Sequence, residues 1–221
     1  MNRFYIEAEL NVGRILELTE SVFHHWVRVL RAKEQEQAIF FNGQGGEYLV
    51  TLTAINKKNA FVSVNHFEAS DRTPPFKVIL GQVMSKGDRM DYAIQKATEL
   101  GVGTIQLLTS DRCEMRLKYE HWQSVAIAAC EQCGMNRIPK IIPPIHVNDW
   151  VISELPNSRF VLAPNKDQKN VLLDSSDNIA LLIGPEGGLS EAEIDFANQN
   201  HFQNWCIGDR ILRTETAPVV A

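Results

Sequence analysis

The sequence predicts an α/β protein in which a small strand-rich domain precedes a larger domain with a mostly parallel sheet. Three observations predict this fold class. Before residue 73 the chain consists mainly of short strand-like runs, whereas after residue 74 apolar strands alternate with amphipathic helices. Between the two parts, the segment 70–75 is polar and then stiffened by two prolines, as in a linker. We therefore expect domains at 1–73 and 74–221.

The first domain is expected to be a small β-barrel with one helix. Its strands are predicted at residues 3–6, 14–18, 37–41, 47–53 and 60–66. The glycine-rich loop 42–46 joins two of them as a hairpin, because its residues tolerate positive φ. Thr19 is the expected N-cap of the helix, and apolar residues at 22, 23, 26, 27 and 30 form its buried stripe. His24, Arg28 and Arg31 are spaced to share another face of this helix.

The second domain is expected to contain a parallel sheet covered on both faces by helices. Strands are predicted at 77–84, 104–108, 160–163, 180–184 and 205–208, and helices at 89–100, 119–133 and 191–200. The helix 89–100 places Met90, Ala93, Ile94 and Ala97 inward. Ser190 and Glu193 have the spacing of a capping box at the start of the third helix.

Composition excludes several classes of protein. Of 221 residues, 44% are hydrophobic and 22% are charged, which is typical of a globular protein and not of a disordered or collagen-like chain. No apolar run of about 18 residues exists, and the N-terminus lacks the apolar core of a signal peptide. Four cysteines without an export signal indicate reduced thiols in the cytoplasm. The net charge of −5 argues against non-specific coating of nucleic acid, but not against RNA contact through a local patch.

Two segments each join a buried strand to a loop suited to ligand binding. In 181–190, Leu-Leu-Ile-Gly-Pro-Glu-Gly-Gly-Leu-Ser, the glycines allow close backbone approach to a ligand. Their spacing fits neither a dinucleotide fingerprint nor a P-loop, and a simple tight turn is the alternative. In 206–217, Arg213 and Glu215 follow a strand at the edge where open α/β sheets bind ligands. A surface salt bridge is the alternative for that pair.

Two further segments carry polar residues at spacings that invite a functional interpretation. Cys130 and Cys133 form a lone Cys-x-x-Cys without a second pair, so we expect small core residues rather than a metal or redox site. Glu131 and Arg137 beside them are better candidates for chemistry. The polar side of the helix 89–99 and the first-helix face with Arg28 and Arg31 are either RNA contacts or ordinary solvated surfaces.

Taken together, these segments resemble the RsmE family of ribosomal RNA small-subunit methyltransferases. The resemblance rests on Ile-Gln-Lys-Ala-Thr-Glu-Leu-Gly at 94–101, Ala-Cys-Glu-Gln-Cys-Gly at 129–134, Leu-Ile-Gly-Pro-Glu-Gly-Gly-Leu-Ser at 182–190 and Arg-Ile-Leu-Arg-Thr-Glu-Thr-Ala at 210–217, with Arg-Val-Leu-Arg at 28–31. It implies a SPOUT-class α/β domain with a trefoil knot, a PUA-like N-terminal barrel and a homodimer. It also implies methyl transfer from S-adenosylmethionine (SAM) to N3 of uridine 1498 in 16S rRNA.

The sequence departs from the family pattern at two places. Met135 stands where the family usually has arginine, which removes one RNA contact. Thr216 and Pro218 would cap and begin a helix, yet the sequence stops after one turn, so we expect the family's C-terminal helix, which packs beside the cofactor site, to be incomplete here.

The resemblance also implies the site residues. SAM would lie bent against three loops, which contribute Leu162, Ala163, Pro164, Gly184, Pro185, Glu186, Gly187, Gly188, Ile207, Gly208 and Leu212. Uridine N3 carries a proton and needs a general base or a cation that stabilises the imide anion. Glu215 or Glu131 is the candidate base, and Arg213 or Arg137 the anion stabiliser. Candidate RNA-phosphate contacts are Arg3, Arg28, Arg31, Lys86 and Arg89.

The expected partner is 16S rRNA, presented within the assembled small subunit during ribosome biogenesis, and no membrane is involved. No metal-ligand cluster stands out in the sequence, so we expect metal-independent activity. Three alternatives remain. One is a SPOUT methyltransferase acting on tRNA or on a ribose 2′-oxygen. Another is a non-catalytic RNA-binding assembly factor. The third is an enzyme that binds nucleotide phosphate with the loop 184–188.

Overall fold

The computed structural model describes residues 1–112, 117–163 and 178–221. The chain divides into two compact units. Unit 1 comprises Met1–Thr73 with Cys130–Ile138, and unit 2 comprises Pro74–Ala129 with Pro139–Ala221. The units differ from the expected domains in the placement of Cys130–Ile138, and the limits 1–73 and 74–221 stay a prediction.

Unit 1 contains a single five-stranded sheet. Its strands are β1 (Asn2–Tyr5), β2 (Ile15–Glu17), β3 (Gln37–Phe41), β4 (Glu47–Ile55) and β5 (Ala60–Glu68). The order is β1-β3-β4-β5-β2; β1 is parallel to β3, and the other neighbours are antiparallel. Gly43, Gly45 and Gly46 between β3 and β4 have φ values of 80°, 93° and 71°. The hairpin prediction is therefore confirmed, with glycine where a left-handed backbone is required.

The expected helix of unit 1 is regular only in its first turn. Thr19 caps α1 (Glu20–Val22), because its side chain accepts a hydrogen bond from the Val22 amide at 3.4 Å. A π-helical segment, Phe23–Val29, follows, and the Leu30 amide bonds the His25 carbonyl five residues earlier at 2.9 Å. Uninterrupted α-helical spacing was therefore the wrong expectation. Phe23, Trp26 and Val27 are buried as predicted, whereas Leu30, which was expected in the buried stripe, is 45% exposed.

The wider turn also changes what faces solvent. Arg31 lies beyond the end of the π-helical segment with a φ of 57°. His24, Arg28 and Arg31 therefore do not share one helical face, and that prediction was wrong. Arg28 and Arg31 are both exposed.

Aromatic side chains form the centre of the unit 1 core. Trp26 has no exposed surface, and its ring lies 5.4 Å from that of Phe4 and 6.1 Å from that of Phe40. The indole Nε1 of Trp26 is buried and has no hydrogen-bond partner among the described residues. Trp26 therefore contributes through apolar packing alone.

Polar contacts hold the segment Cys130–Ile138 within unit 1. The Arg3 guanidinium donates to Glu47 Oε2 and to Asn136 Oδ1, both at 2.6 Å. Asn136 Nδ2 in turn donates to the Ser70 carbonyl at 2.8 Å. Asn136 is fully buried, and these bonds satisfy its amide.

The two cysteines of this segment behave as the sequence predicts. Cys130 is buried and Cys133 is half-buried, and both are free thiols. They pack with Phe41 and Met135 in a small apolar cluster. Burial raises the pKa of Cys130 to about 12, so its thiol stays protonated and is a core group rather than a nucleophile.

Asp71 is expected to make the stability of unit 1 decrease at low pH. Hydrogen bonds from the Thr73 hydroxyl and amide, with the Arg137 guanidinium at 2.8 Å, lower the pKa of Asp71 from 3.8 to about 2. A depressed pKa stabilises the fold above about pH 4, and this contribution is lost as the pH falls towards 2. Because the pair is partly exposed, Asp71→Asn should cost no more than about 1 kcal/mol. Thermal unfolding should show the difference from wild type shrinking between pH 4 and pH 2; an equal difference at every pH would contradict the assignment.

Unit 2 contains a six-stranded, wholly parallel sheet. Its strands are β6 (Val78–Val83), β7 (Thr104–Thr109), β8 (Lys140–His146), β9 (Ser158–Leu162), β10 (Ile179–Ile183) and β11 (Gln203–Trp205). The order is β11-β9-β10-β6-β7-β8, and every neighbouring pair is parallel. The helices are α2 (Asp88–Glu99), α3 (Tyr119–Cys133), α4 (Val147–Val151), α5 (Glu191–Gln199) and α6 (Ala217–Val220), of which α3 continues into unit 1. The predicted strand–helix alternation is confirmed, and all carboxyl ends of the strands meet at one edge of the sheet.

The sequence analysis missed β8 and α4. Pro143 and Pro144 interrupt the apolar pattern of β8, and proline in a sheet is confined to edges and bulges. β8 is indeed one of the two edge strands of the described sheet, and Gln106 Nε2 donates to the Pro143 carbonyl at 2.7 Å where the β7–β8 register shifts. The cap of α4 is equally unusual, because the side chain of His146 accepts the bond from the Asn148 amide.

The start of α6 also differs from expectation. Thr216 occupies the N-cap position, but its side chain makes no capping hydrogen bond. Pro218 lies in the first turn, as predicted. No helix within the described ranges is both long enough and apolar enough to cross a membrane.

Candidate active site

A cavity of about 790 Å³ lies at the carboxyl ends of β9 and β10. Pockets for small ligands commonly have volumes of roughly 300–1,000 Å³. Leu162 and Ala163 at the end of β9, the loop 184–188 after β10, and the segment 211–215 form much of its wall. Arg89 of α2 and the acidic residues Glu191 and Asp195 of α5 complete the polar lining. The cavity therefore lies where parallel sheets bind ligands.

The loop 184–188, called the glycine loop below, has a tightly fixed backbone. A Cβ atom at Gly184 would lie 2.9 Å from the Leu189 amide nitrogen, so only glycine fits there without a shift. The Gly188 amide bonds the Pro185 carbonyl at 2.9 Å, which closes a turn, and Gly188 has a φ of 70°. The capping box of Ser190 and Glu193 then begins α5, as predicted. The loop thus presents a preformed backbone surface to the cavity.

Two side chains that the sequence analysis did not single out hold the glycine loop. Thr214 is buried; its hydroxyl donates to the Gly184 carbonyl at 2.7 Å and accepts from Gln82 Nε2 at 3.2 Å. Arg112 donates to the Gly187 carbonyl at 2.9 Å. Gln82 lies within the otherwise apolar strand β6. Because a buried amide requires a polar partner, this residue could have indicated the hydrogen-bond network from the sequence.

Glu215 is the carboxylate placed to act on a molecule in the cavity. Only 16% of its side chain is exposed, and its Oε2 is buried without a hydrogen-bond partner among the described residues. Cations lie 3.9 Å from both carboxylate oxygens: Arg213 Nη1 from Oε1, and Arg89 Nε from Oε2. Because Glu215 lines the cavity and one of its carboxylate oxygens lacks a hydrogen-bond partner among the described residues, it is the candidate base for a bound group.

Glu186 is a second carboxylate at the cavity, and it is fully engaged. Its Oε1 accepts the Lys86 amide at 2.9 Å and Arg89 Nη1 at 2.8 Å. Burial by itself would raise the pKa of Glu186, but the hydrogen bonds from its own amide, from the Lys86 amide and from Arg89 lower the pKa overall. Glu186 is therefore an ionised anchor for the guanidinium.

The structure brings together most, but not all, of the residues that the sequence pointed to. The cavity lining includes Leu162, Ala163, Gly184, Pro185, Glu186, Gly187, Gly188, Leu212, Arg213, Glu215 and Arg89. Ile207 and Gly208 do not line it, and Pro164 lies outside the described residues.

Glu131 and Arg137 belong to unit 1 and do not line this cavity. Glu131 accepts the Tyr5 amide at 2.9 Å, and burial raises its pKa. Arg137 pairs with Asp71. The hydrogen bond of Glu131 and the ion pair of Arg137 are thus both formed within unit 1.

The candidate RNA contacts differ in how exposed their side chains are. The Arg3 side chain is 13% exposed and committed to Glu47 and Asn136. Arg28 donates to the Lys57 carbonyl and lies 5.0 Å from the ring of Phe23, yet it remains exposed. Arg31 and Lys86 are exposed as well. Arg3 therefore stabilises unit 1 and offers little of its guanidinium to a phosphate.

One group with metal-ligand chemistry forms among the described residues: Asp111, His146 and Glu193, whose ligand atoms lie within 4.8 Å of one another. His146 Nδ1 accepts the Asn148 amide at 3.2 Å, so the proton of the neutral ring is on Nε2. Metal binding through Nε2 would move that proton to Nδ1 and break the cap of α4. Both carboxylate oxygens of Glu193 also accept hydrogen bonds from backbone amides, those of Asp111 and Ser190. The group is thus explained by structural hydrogen bonds.

Comparison with known proteins places this site in a family. Residues 72–221 match the family described as an RNA methyltransferase domain, and residues 18–65 match an RNA methyltransferase PUA domain. Ribosomal RNA small subunit methyltransferase E of Buchnera aphidicola subsp. Schizaphis graminum is 33% identical over 99% of this chain and 93% of its own length.

Two solved structures are similar over nearly the whole chain. Ribosomal RNA small subunit methyltransferase E of Neisseria gonorrhoeae, bound to S-adenosyl methionine, is 35% identical with a TM-score of 0.93, covering 99% of this chain and 94% of that one. A Legionella pneumophila protein described as a methyltransferase, in complex with the bound cofactor SAM, is 34% identical with a TM-score of 0.91, covering 99% and 93%. The expected fold class is confirmed, and the chain belongs to the family of the ribosomal RNA small subunit methyltransferase E.

Proposed function

We propose that this protein transfers a methyl group from SAM to N3 of uridine 1498 in 16S rRNA. The observation that carries the proposal is the placement of the Glu215 carboxylate, with its free lone pair, in the same cavity as the glycine loop. Relatives with this family name and at least 32% identity over nearly the whole chain support the substrate class. The solved relatives that contain SAM support the cofactor.

The residues of the cavity fit SAM. Gly184, Gly187 and Gly188 line the cavity without side chains of their own, so a flat ring can approach the backbone of the glycine loop closely. Glu191 and Asp195 place negative charge in a cavity that would receive a cationic sulfonium and an ammonium group. The bound cofactor supplies a methyl group on a sulfonium, which is displaced in line by a correctly positioned nucleophile.

The chain's own residues would make uridine N3 a nucleophile. We assign Glu215 as the base that takes the N3 proton and Arg213 as the cation that stabilises the resulting imide anion. The Arg213 side chain is 80% exposed, so it can turn towards an incoming base. Glu131 and Arg137 were the alternative pair, and we do not assign them these roles because their partners lie in unit 1.

RNA contact, assembly and location belong to the same proposal. Exposed Arg28, Arg31 and Lys86 are the candidates for phosphate contact. The substrate is 16S rRNA presented by the small subunit, so shape and access to a single-stranded base decide recognition more than sequence does. We further propose that the protein acts as a homodimer in the cytoplasm.

Mass spectrometry of 16S rRNA fragments tests the proposal. A strain that lacks the gene should lose one methyl group on N3 of uridine 1498, and complementation with the wild-type gene should restore it. An unchanged 16S pattern would overturn the assignment. Loss of a methyl from tRNA or from a ribose 2′-oxygen would instead identify another substrate, and an unchanged methylation pattern with rRNA binding retained would identify a non-catalytic factor.

A further inference from the structure

Arg89 occupies a different place from that of an ordinary phosphate contact. It lies in the first turn of α2, directly after β6, and its side chain lines the cavity. From there the guanidinium hydrogen-bonds one carboxylate of the site and forms an ion pair with the other without a hydrogen bond. Nη1 donates to Glu186 Oε1 at 2.8 Å, and Nε lies 3.9 Å from Glu215 Oε2. Arg89 thus connects the glycine loop with the segment that carries the candidate base.

The Glu186 end of this link is firmly anchored. The same Oε1 that accepts Arg89 also accepts the Lys86 amide at 2.9 Å, so the carboxylate is tied to the turn before α2. Because Arg89 and Lys86 belong to one turn of chain, Glu186 and that turn hold each other in place. The guanidinium has a planar fork of donors in fixed geometry, and lysine could not serve both carboxylates in the same way.

The charges around Arg89 argue against a phosphate as its partner. Glu186 and Glu215 together carry two negative charges, which the guanidinium groups of Arg89 and Arg213 balance. A phosphate at Arg89 would have to compete with two carboxylates already beside the same cation. The Arg89 side chain is 46% exposed, whereas that of Arg213 is 80% exposed and has no second anchor of this kind within the described part of the chain.

If Arg213 turns towards the target base, Arg89 is the cation that remains beside Glu215. We propose that Arg89 is a positioning residue for methyl transfer, which holds the Glu215 carboxylate at a fixed place relative to the glycine loop. This inference rests on the proposed function. Displacing a reacting group by about 1 Å can cost roughly 100-fold in rate, so a residue that contacts neither RNA nor the methyl group can still control the reaction.

The test separates a positioning role from a phosphate contact. Arg89→Gln, Arg89→Lys and wild type are compared for single-turnover methyl transfer to small-subunit RNA at saturating SAM, and for RNA affinity as a function of salt. Lys140→Gln is the matched control, because it removes an exposed cation from the same unit at a residue that is absent from the cavity lining. We expect Arg89→Gln to lose about 100-fold in the saturated rate, with an RNA salt slope equal to that of the control. Arg89→Lys should recover part of the rate.

A second variant keeps the test decisive if Arg89→Gln folds poorly. Glu186→Ala removes the acceptor of the same link while leaving Arg89 and Glu215 in the sequence, and it should lower the saturated rate without weakening RNA binding. In the double variant the two losses should not add, because both remove one link. Additive losses would overturn the proposal.

A phosphate contact gives the opposite pattern. Arg89→Gln would then weaken RNA binding and reduce the salt slope by about 1, with the saturated rate unchanged. That result would overturn the positioning role while leaving the proposed function intact. A wild-type protein that transfers no methyl to uridine N3 would overturn the proposed function and this inference together.

Discussion

Replacing Glu215 by glutamine is expected to lower the rate of methyl transfer by about 100- to 10,000-fold, the range that general acid–base catalysis typically contributes. Glutamine keeps the size of the side chain but cannot accept the N3 proton. The loss should appear in the saturated rate and not in SAM or RNA affinity, because Glu215 acts on the reacting atom. Single-turnover kinetics with isotopically labelled SAM measure the rate, and calorimetry measures the affinity.

The matched control for this variant is Glu120→Gln. Glu120 is exposed in the first turn of α3 and does not line the cavity, so its replacement should leave the rate unchanged. Raising the pH should partly restore the Glu215→Gln rate, because hydroxide in solution then removes the N3 proton. A Glu215→Gln protein with the wild-type rate at neutral pH would show that another group is the base.

Replacing Trp26 by alanine should lower the free energy of unfolding of unit 1 by about 3–5 kcal/mol. The ring is fully buried between Phe4 and Phe40, so the truncation leaves a large cavity that these rigid neighbours cannot fill. Denaturant titration followed by circular dichroism provides the free energy. The change exceeds that expected for any surface position, because exposed substitutions usually alter stability by less than about 0.5 kcal/mol.

The variant Trp26→Phe tests how much of that loss comes from the indole N–H group. Phenylalanine retains most of the aromatic packing and removes an indole N–H that is buried without a partner among the described residues. A buried unsatisfied donor costs about 1–3 kcal/mol, so its loss should offset much of the reduced contact area. We expect Trp26→Phe to cost less than about 1.5 kcal/mol. Equal losses for alanine and phenylalanine would show that the N–H has a partner that stabilises the fold.

Elements with strong local signals could be predicted from the sequence. The bounds of β3 and α3 agree with the predicted 37–41 and 119–133, and the capping box at Ser190 starts α5. In these elements the periodicity, the caps and the tertiary packing all favour the same structure. β8, α4 and the π-helical segment were missed or misjudged, because their signals are set by position in the sheet and by packing rather than by local preference.

The site could be predicted only where backbone features mark it. The glycine loop follows the buried strand β10, and the segment with Arg213 and Glu215 follows β11, which is partly exposed and lies at Gln203–Trp205 rather than at the predicted 205–208. Their convergence follows from the parallel sheet. Thr214 and the two-sided contacts of Arg89 could not be found in this way. Both depend on contacts between side chains that are far apart in the sequence, and no local sequence pattern predicts such contacts.

The two prolines at the edge of the unit 2 sheet restrict how the molecule can associate. Pro143 and Pro144 supply no amide hydrogens at two successive positions of β8, so an approaching strand would meet a gap in the row of donors. An edge strand that lacks these donors disfavours the addition of a further strand, which is a route to aggregation of proteins with exposed sheet edges. Any pairing of two copies of this chain through the β8 edge must therefore use side-chain surfaces, because continuation of the sheet through this edge is disfavoured.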